Sequence, residues 1–518
     1  MPGTKDNPRV LIVTPEVTYL PQGMGNIANY LSAKAGGLAD VSAALISKLF
    51  TLGADIHVAM PDYRGIFHKN IGGALWDLYK KEIETYKKYL PEDRLHLAED
   101  RAFYYVHHVY SDFSQENLKI ALAFQREVIN NILPRVRPDM IHCNDWMTGL
   151  IPGYSRLVGI PSLFTIHNIH TVKATLAEIE DRGIDAAEFW QHLYYQHMAV
   201  NYEQSRETNP VDFLVSGVFA AHFVNTVSPA FLNEIVSGRH NFVSDSLRRE
   251  LVNKVEADCA YGILNAPDPS YEPSSDPEIF RNYSPDDHVE GKLANKRYLQ
   301  KRLGMIQDAD APMFFWPSRL DPVQKGCQVL ADILYHMVSK YWDSNLQVIF
   351  VASGVFQKHF LSIVDFHGLE QRVAVCNFFE ALSRLAYAAS DFLLMPSSFE
   401  PCGLPQMIGP KYGTLPVAHD TGGIHDTIEH LDVENNTGNG FLFEVFDSHG
   451  LMWAVDRAME FHTMPKEIKA SRISRIMKQS TAMFNHERTA ARYIELYEKM
   501  LQRPLITENY AEQRQEHG

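Results

Sequence analysis

Short apolar runs alternate with longer amphipathic ones along most of the chain, and that rhythm constrains the fold more than any other feature. Arg9–Val13 (RVLIV) reads as a strand. Residues 37–52 read as a helix with Leu38, Val41, Leu45 and Leu49 on one face, and 56–59 as a second strand. Residues 140–142, 162–166 and 223–227 follow, each after a helical stretch. The pattern then resumes, with candidate strands at 313–316, 347–351, 373–377, 392–395 and 415–418. Strands separated by helices predict a parallel sheet with right-handed crossovers. Two such series predict an α/β protein with two doubly wound, Rossmann-like domains.

The expected boundaries follow from composition shifts. Residues 1–265 form the first domain and 291–485 the second. Residues 266–290 hold five prolines and four aspartates and read as an extended linker or surface arm, because proline fixes φ and removes a donor. Residues 486–518 read as a helical tail that becomes polar. The longest mid-chain stretch without Lys, Arg, Asp or Glu, 213–233, contains Ser216, His222, Asn225, Thr226 and Ser228, and reads as a buried helix and strand instead of a membrane span.

The chain has 518 residues, 45% hydrophobic and 21% charged, which suits sizeable cores and excludes a disordered or fibrous protein. Its formal charge is −15, a field that repels nucleic acid and anionic membrane. An anionic substrate would therefore need a local cluster of Lys and Arg. The five cysteines (Cys143, Cys259, Cys327, Cys376, Cys402) form no CxxC pair. Reduced thiols in a cytoplasmic protein are expected, without a metal site. The start passes almost directly into an apolar strand, so no secretory leader is expected.

Four constellations carry possible chemistry. In Lys34-Ala35-Gly36-Gly37, two glycines open a helix, where backbone N–H groups can approach an anion. A plain loop-to-helix turn with a solvated lysine reads equally from those residues. In Asn144-Asp145-Trp146 and Ile166-His167-Asn168, polar residues follow apolar strands, the place where open α/β sheets bind ligands. Asp145 and His167 can bond sugar hydroxyls there, or simply cap helices. Arg319 and Lys325 put two cations just beyond a buried strand, which suits a diphosphate leaving group or a surface ion pair with Asp321. Finally, Pro396-Ser397-Ser398-Phe399-Glu400-Pro401-Cys402-Gly403-Leu404 holds a carboxylate on a rigid strand-to-helix turn, and Thr421-Gly422-Gly423 adds a second glycine-rich turn. A helix-dipole partner is the plainer reading of Glu400.

In this order, these motifs resemble the bacterial glycogen and plant starch synthases, the ADP-glucose-type retaining enzymes of glycosyltransferase family 5. The resemblance runs from Val10 to about Asp447 and is strongest from Ala389 to Asp426, with KAGGLADV, TIHNI, NTVSPAF, GILN and QKG adding to it. It implies the GT-B fold, two Rossmann-like domains facing a deep cleft. It implies transfer of glucose from ADP-glucose to the non-reducing end of an α-1,4-glucan, with no metal and no cofactor, the sugar nucleotide being a substrate. Residue by residue, Lys34, Gly36 and Gly37 look like the nucleotide-diphosphate contact. Arg319 and Lys325 look like the pair that neutralises the departing phosphates. Glu400 looks like the carboxylate that holds the donor sugar, with Cys402, Gly403 and Leu404 beside it. His167 looks like the histidine that braces the sugar, Asp145 like the aspartate near the acceptor, and Phe378 like an aromatic over adenine. Thr421, Gly422 and Gly423 fall on the donor-phosphate side.

The chain departs from the family pattern in five places. The family's ExxPxxKxGG keeps Glu16 and Pro21 here, but residues 22–33 lengthen the approach to Lys34, as if to lid a cleft or reshape the acceptor site. HxHDWH has become His142-Cys143-Asn144-Asp145-Trp146-Met147. The family's HNxxYQG reads His167-Asn168-Ile169-His170-Thr171-Val172-Lys173, ILNGID reads Ile263-Leu264-Asn265-Ala266-Pro267-Asp268, and one extra residue separates Arg319 from Lys325. Acceptor-side residues change more than donor-side ones. Two rival expectations follow: a nucleotide-sugar transferase with another acceptor, or a catalytically silent glucan-binding scaffold.

Overall fold

The computed structural model describes residues 7–24, 31–71, 94–111 and 113–507. The stretch 22–33 and the tail 486–518 thus lie partly outside the described residues.

Seven parallel strands form the first sheet: β1 (Arg9–Val13), β2 (Asp55–Pro61), β3 (Leu95–Ala98), β4 (Met140–Asn144), β5 (Ser162–Ile166), β8 (Phe223–Thr226) and β9 (Ala260–Gly262). Their order is β3-β2-β1-β4-β5-β8-β9. Two short strands, β6 (Lys173–Ala174) and β7 (Val211–Asp212), pair antiparallel beside it. The second sheet holds β10 (Met313–Trp316), β11 (Gln347–Val351), β12 (Val373–Cys376), β13 (Phe392–Met395), β14 (Leu415–His419) and β15 (Phe441–Phe443), all parallel, in the order β12-β11-β10-β13-β14-β15.

Both sheets are covered on both faces, which is why their strands read as nearly continuous apolar runs. In the second sheet Phe314, Trp316, Val348, Phe350 and Leu394 pack into one core. Their chain neighbours Phe315, Ile349, Val351, Leu393 and Met395 pack into the other. In each sheet the strand order reverses between the first and fourth strands in sequence: β1 and β4, then β10 and β13. Ligands of doubly wound sheets bind beyond the carboxyl ends of strands at such a reversal.

The chain forms two compact units. The amino-terminal unit takes the described residues up to Val227, then Leu232–Ile263 and the described residues from His486. The carboxyl-terminal unit takes Ser228–Phe231 and Leu264–Asn485. Among the described residues, no helix is long and apolar enough to cross a membrane.

The expectation of a linker or surface arm at 266–290 is corrected here. Ile279 and Tyr283 are core residues, and Asp276 is fully buried. Tyr412 Oη donates to Asp276 Oδ2 at 2.5 Å, and the Arg384 guanidinium approaches the same oxygen at 3.3 Å while lying 3.9 Å over the Tyr271 ring. Proline removes backbone donors, but the side chains between the prolines still anchor the segment to the carboxyl-terminal unit. The helix His486–Leu501, expected as a tail, packs in the amino-terminal unit against the helix Gly37–Thr51, with Tyr493 and Tyr497 buried.

Candidate active site

In the amino-terminal unit the chain leaves β1 at Thr14 and reaches Glu16, a buried carboxylate. Its Oε2 accepts from the backbone N–H of Ala35 at 2.5 Å and of Gly36 at 3.1 Å, and Tyr110 Oη donates to Oε1 at 3.3 Å. Burial pushes the Glu16 carboxyl up. Glu16 thereby holds the glycine loop that opens the helix Gly37–Thr51. Lys34 to Gly37 are exposed, and Lys34 Nζ folds 2.9 Å from Asp40 Oδ2.

Beyond β4, Asp145 has φ +57° and ψ −179°, a backbone region that only glycine enters freely. That conformation turns its buried carboxylate back: Oδ1 accepts from the His167 N–H at 2.7 Å and the Asn168 N–H at 3.3 Å. Burial raises the Asp145 carboxyl to about 7, and the nearby Glu16 adds to the rise. Burial also lowers His167 to about 3, so its ring is neutral at ordinary pH. Asn144, read from sequence only as a lost histidine, has its Oδ1 2.9 Å from His167 Nε2. The structure thus brings Asp145 and His167 together, as the motif spacing anticipates, and adds Asn144, Glu16 and Tyr110. Asn144 and Glu16 stand in the motifs already, beside or within the named residues; Tyr110 lies in no recognisable pattern.

In the carboxyl-terminal unit, β10 is followed by Arg319 and Lys325, and β13 by Glu400. Lys325 Nζ lies 2.5 Å from Glu400 Oε2, and Ser397 Oγ donates to the same oxygen at 3.1 Å. Both ends of the pair are nearly closed to water, at 12% and 6% side-chain exposure. The extra residue between Arg319 and Lys325 leaves Lys325 on Glu400. Gly326 is required where the chain turns: its φ is +70°, and a Cβ would meet the Pro396 carbonyl oxygen at 1.8 Å. Glu400 Oε1 has no protein partner among the described residues. Arg319 is exposed and likewise has no ion-pair partner among them.

The turn Thr421-Gly422-Gly423 packs directly under the Glu400–Cys402 backbone, and Gly423 N–H donates to the Glu400 carbonyl at 2.9 Å. Gly403 (φ +74°) and Leu404 continue that loop, and buried Gln406 ties it by donating from Nε2 to the Cys402 carbonyl at 2.7 Å. Burial pushes the Cys402 thiol up to about 12, which leaves it inert as a nucleophile. Phe378 follows β12 with an exposed ring. Every residue singled out in the second half therefore follows the carboxyl end of β10, β12, β13 or β14. Among the described residues no group of three or more His, Cys, Asp or Glu side chains has metal-binding geometry.

Residues 9–249 match the family described as starch synthase catalytic domain, and residues 311–460 the family described as glycosyl transferases group 1. The glycogen synthase of Syntrophotalea carbinolica is 30% identical over 502 residues, covering 91% of this chain and 96% of that protein. The glycogen synthase of Thermosipho melanesiensis is 31% identical, with 91% and 97% covered. Among solved structures, the catalytic domain of starch synthase IV from Arabidopsis thaliana, bound to ADP and acarbose, aligns with a TM-score of 0.75 at 24% identity, covering 96% of this chain and all of that one. Sucrose-phosphate synthase from Thermosynechococcus elongatus aligns at 0.58 with 16% identity, covering 96% of this chain and 99% of that one. The two doubly wound sheets and these structures define the GT-B fold, and the family matches with the curated relatives define a glycosyltransferase. The chain belongs to the glycogen and starch synthase family.

Proposed function

We propose that the protein transfers glucose from ADP-glucose to the non-reducing end of an α-1,4-glucan, with retention of anomeric configuration, in the cytoplasm. The observation that carries this reading is the Lys325–Glu400 pair, nearly closed to water, beyond the strand-order reversal of the second sheet, with Arg319 on the same loop and without an ion-pair partner among the described residues. Arg319 and Lys325 offset the charge that develops as ADP departs, the largest single contribution available in a water-poor site. Glu400 Oε1 accepts a hydroxyl of the donor sugar. Lys34 and the Gly36 and Gly37 backbone meet the diphosphate; Phe378, the Cys402–Leu404 loop and Thr421–Gly423 complete the donor side. His167 and Asp145 serve the transferred sugar and the acceptor. The acceptor hydroxyl attacks C1 on the leaving-group face, its proton passes to a phosphate oxygen, and ADP leaves. No enzymic nucleophile is needed.

One observation favours a second acceptor class. Where the family has Tyr-Gln-Gly, the chain enters the β6–β7 pair: Thr171 Oγ1 donates to Asp212 Oδ1 at 2.7 Å, and the His170 ring packs edge-on to Trp146 at 5.3 Å. A matrix of ADP-glucose and UDP-glucose against glycogen, maltooligosaccharides and small acceptors tests both readings. ADP-glucose with glucans is expected to give the highest turnover, and Lys325→Ala to lower it by about 100-fold or more. Turnover only with small acceptors would replace the glucan reading. Wild-type turnover in Lys325→Ala and Glu400→Ala would remove the pair from the site.

A further inference from the structure

His167 directly follows β5, and its two ring nitrogens have different surroundings. Nε2 lies 2.9 Å from Asn144 Oδ1. The other end of Asn144 decides which atom carries the hydrogen. Asn144 Nδ2 lies 3.1 Å from the Val13 carbonyl oxygen, which can only accept. The amide nitrogen must therefore face Val13, and the amide oxygen must face the ring. That oxygen also only accepts, so the hydrogen sits on Nε2. The brace is rigid: Val13 ends β1, Asn144 ends β4, the two strands are paired neighbours, and Asn144 is buried. His167 Nδ1 is left as the ring's acceptor, with no protein partner among the described residues. The neighbouring Asp145 fixes the other half of the residue by taking the His167 backbone N–H.

We propose that Asn144 is a positioning residue: it selects the Nε2–H tautomer of His167 and so presents Nδ1 as a hydrogen-bond acceptor for a hydroxyl of the transferred sugar. This rests on the reading that His167 contacts that sugar. Two consecutive residues then divide the work, Asp145 holding the histidine backbone and Asn144 its ring. A ring freed of Asn144 can carry its hydrogen on Nδ1, where it would offer a donor to a group that is already donating. Burial keeps the ring neutral, with His167 lowered to about 3, so tautomer choice and not charge sets what it offers.

The test uses the full-length protein with nitrogen-15 labelled histidine, the His167 signals being assigned by their loss in His167→Gln. Wild type is expected to show a hydrogen on Nε2 and a bare Nδ1. Asn144→Leu removes the acceptor and is expected to give mixed tautomers. It should lower kcat about tenfold while KM for ADP-glucose changes less than about threefold. Asn144→Asp keeps an oxygen facing Nε2 and is expected to restore the tautomer and most of kcat, although it loses the Val13 bond as the leucine variant does. Thermal unfolding of both variants separates this from a folding defect. A wild-type tautomer or wild-type kcat in Asn144→Leu would overturn the proposal, as would equal loss of kcat in the two variants. Wild-type kcat in His167→Ala would instead overturn the underlying sugar contact, leaving the tautomer result standing as a structural fact.

Discussion

Gly36 and Gly422 are both glycines in predicted phosphate-side turns, yet the physical demands on them differ. Gly422 has φ +48°, and a Cβ there would sit 2.0 Å from the Glu400 carbonyl oxygen. The protein itself forbids a side chain. Gly36 has φ −154°, extended backbone open to any residue, and a Cβ there would meet no heavy atom within 4 Å. Among the described residues no protein atom accounts for glycine at this position, whereas the proposed diphosphate contact would require it. Gly422→Ala is therefore expected to cost about 3 kcal/mol or more through clash and left-handed strain, and to lose activity with it. Gly36→Ala is expected to change stability by under about 1 kcal/mol while weakening ADP-glucose use about tenfold or more. Urea unfolding beside steady-state kinetics distinguishes them. A Gly36→Ala enzyme with unchanged kinetics would leave that glycine without a ligand role.

At the scale of elements, the helix His486–Leu501 is fastened by a buried relay. Asn225 Oδ1 accepts from Thr165 Oγ1 at 2.5 Å, so that hydroxyl accepts from His142 Nε2 at 2.6 Å, and His142 Nδ1 accepts from Tyr497 Oη at 2.7 Å. Asn225 Nδ2 closes the set by donating to Tyr493 Oη at 3.1 Å. Burial lowers His142 to about 3, so the relay holds a neutral ring. Tyr497→Phe strands a buried acceptor and is expected to cost about 1–3 kcal/mol in urea unfolding; a loss under a few tenths would mean the hydroxyl is not in the relay. None of this was legible in the sequence, because the partners come from β4, β5, β8 and a helix more than 250 residues later. The central strands were legible: β1, β5, β10, β11 and β13 fall on their expected residues, since burial on both faces demands unbroken apolar runs. The edge strands β3, β9 and β15 escaped notice, being only three or four residues long and, in β3, interrupted by His96. Of the site, residues inside ordered motifs could be read, while Tyr110 and Ser397 could not be given their partners because only folding supplies them.

Over the whole molecule, the histidines whose pKa burial lowers are, among the described residues, unevenly shared. Burial lowers His57, His96, His142, His167, His170, His192 and His222 in the amino-terminal unit, to about 2 for His96, about 3 for His142 and His167, and about 4 for His222. In the carboxyl-terminal unit it lowers His288 and His462. A base with a depressed folded pKa takes up its proton more readily when unfolded. Its effect is absent well above about 6.5, and stability is lost as pH falls from there towards the folded value. Glu16 and Asp145 act in the opposite direction. Their raised pKa values favour the folded state at low pH, and that stabilisation is lost as pH rises above the ordinary carboxylate range, towards about 7 for Asp145. Among the described residues of the amino-terminal unit, two raised carboxyls stand against seven lowered histidines, so this unit is expected to be acid-sensitive on balance. Lys292, lowered to about 7 by burial in the other unit, has completed most of its change before the acid range begins. General charge repulsion cannot produce the effect, because protonation moves a chain of formal charge −15 towards neutrality. Pulse proteolysis across a urea gradient, with the fragments mapped by mass spectrometry, should find amino-terminal-unit peptides cleaved at distinctly lower urea at pH 5.5 than at pH 7.5. Peptides from Leu264–Asn485 should shift less. An equal shift, or a larger one in the carboxyl-terminal unit, would mean that the buried histidines do not set the acid limit of this fold.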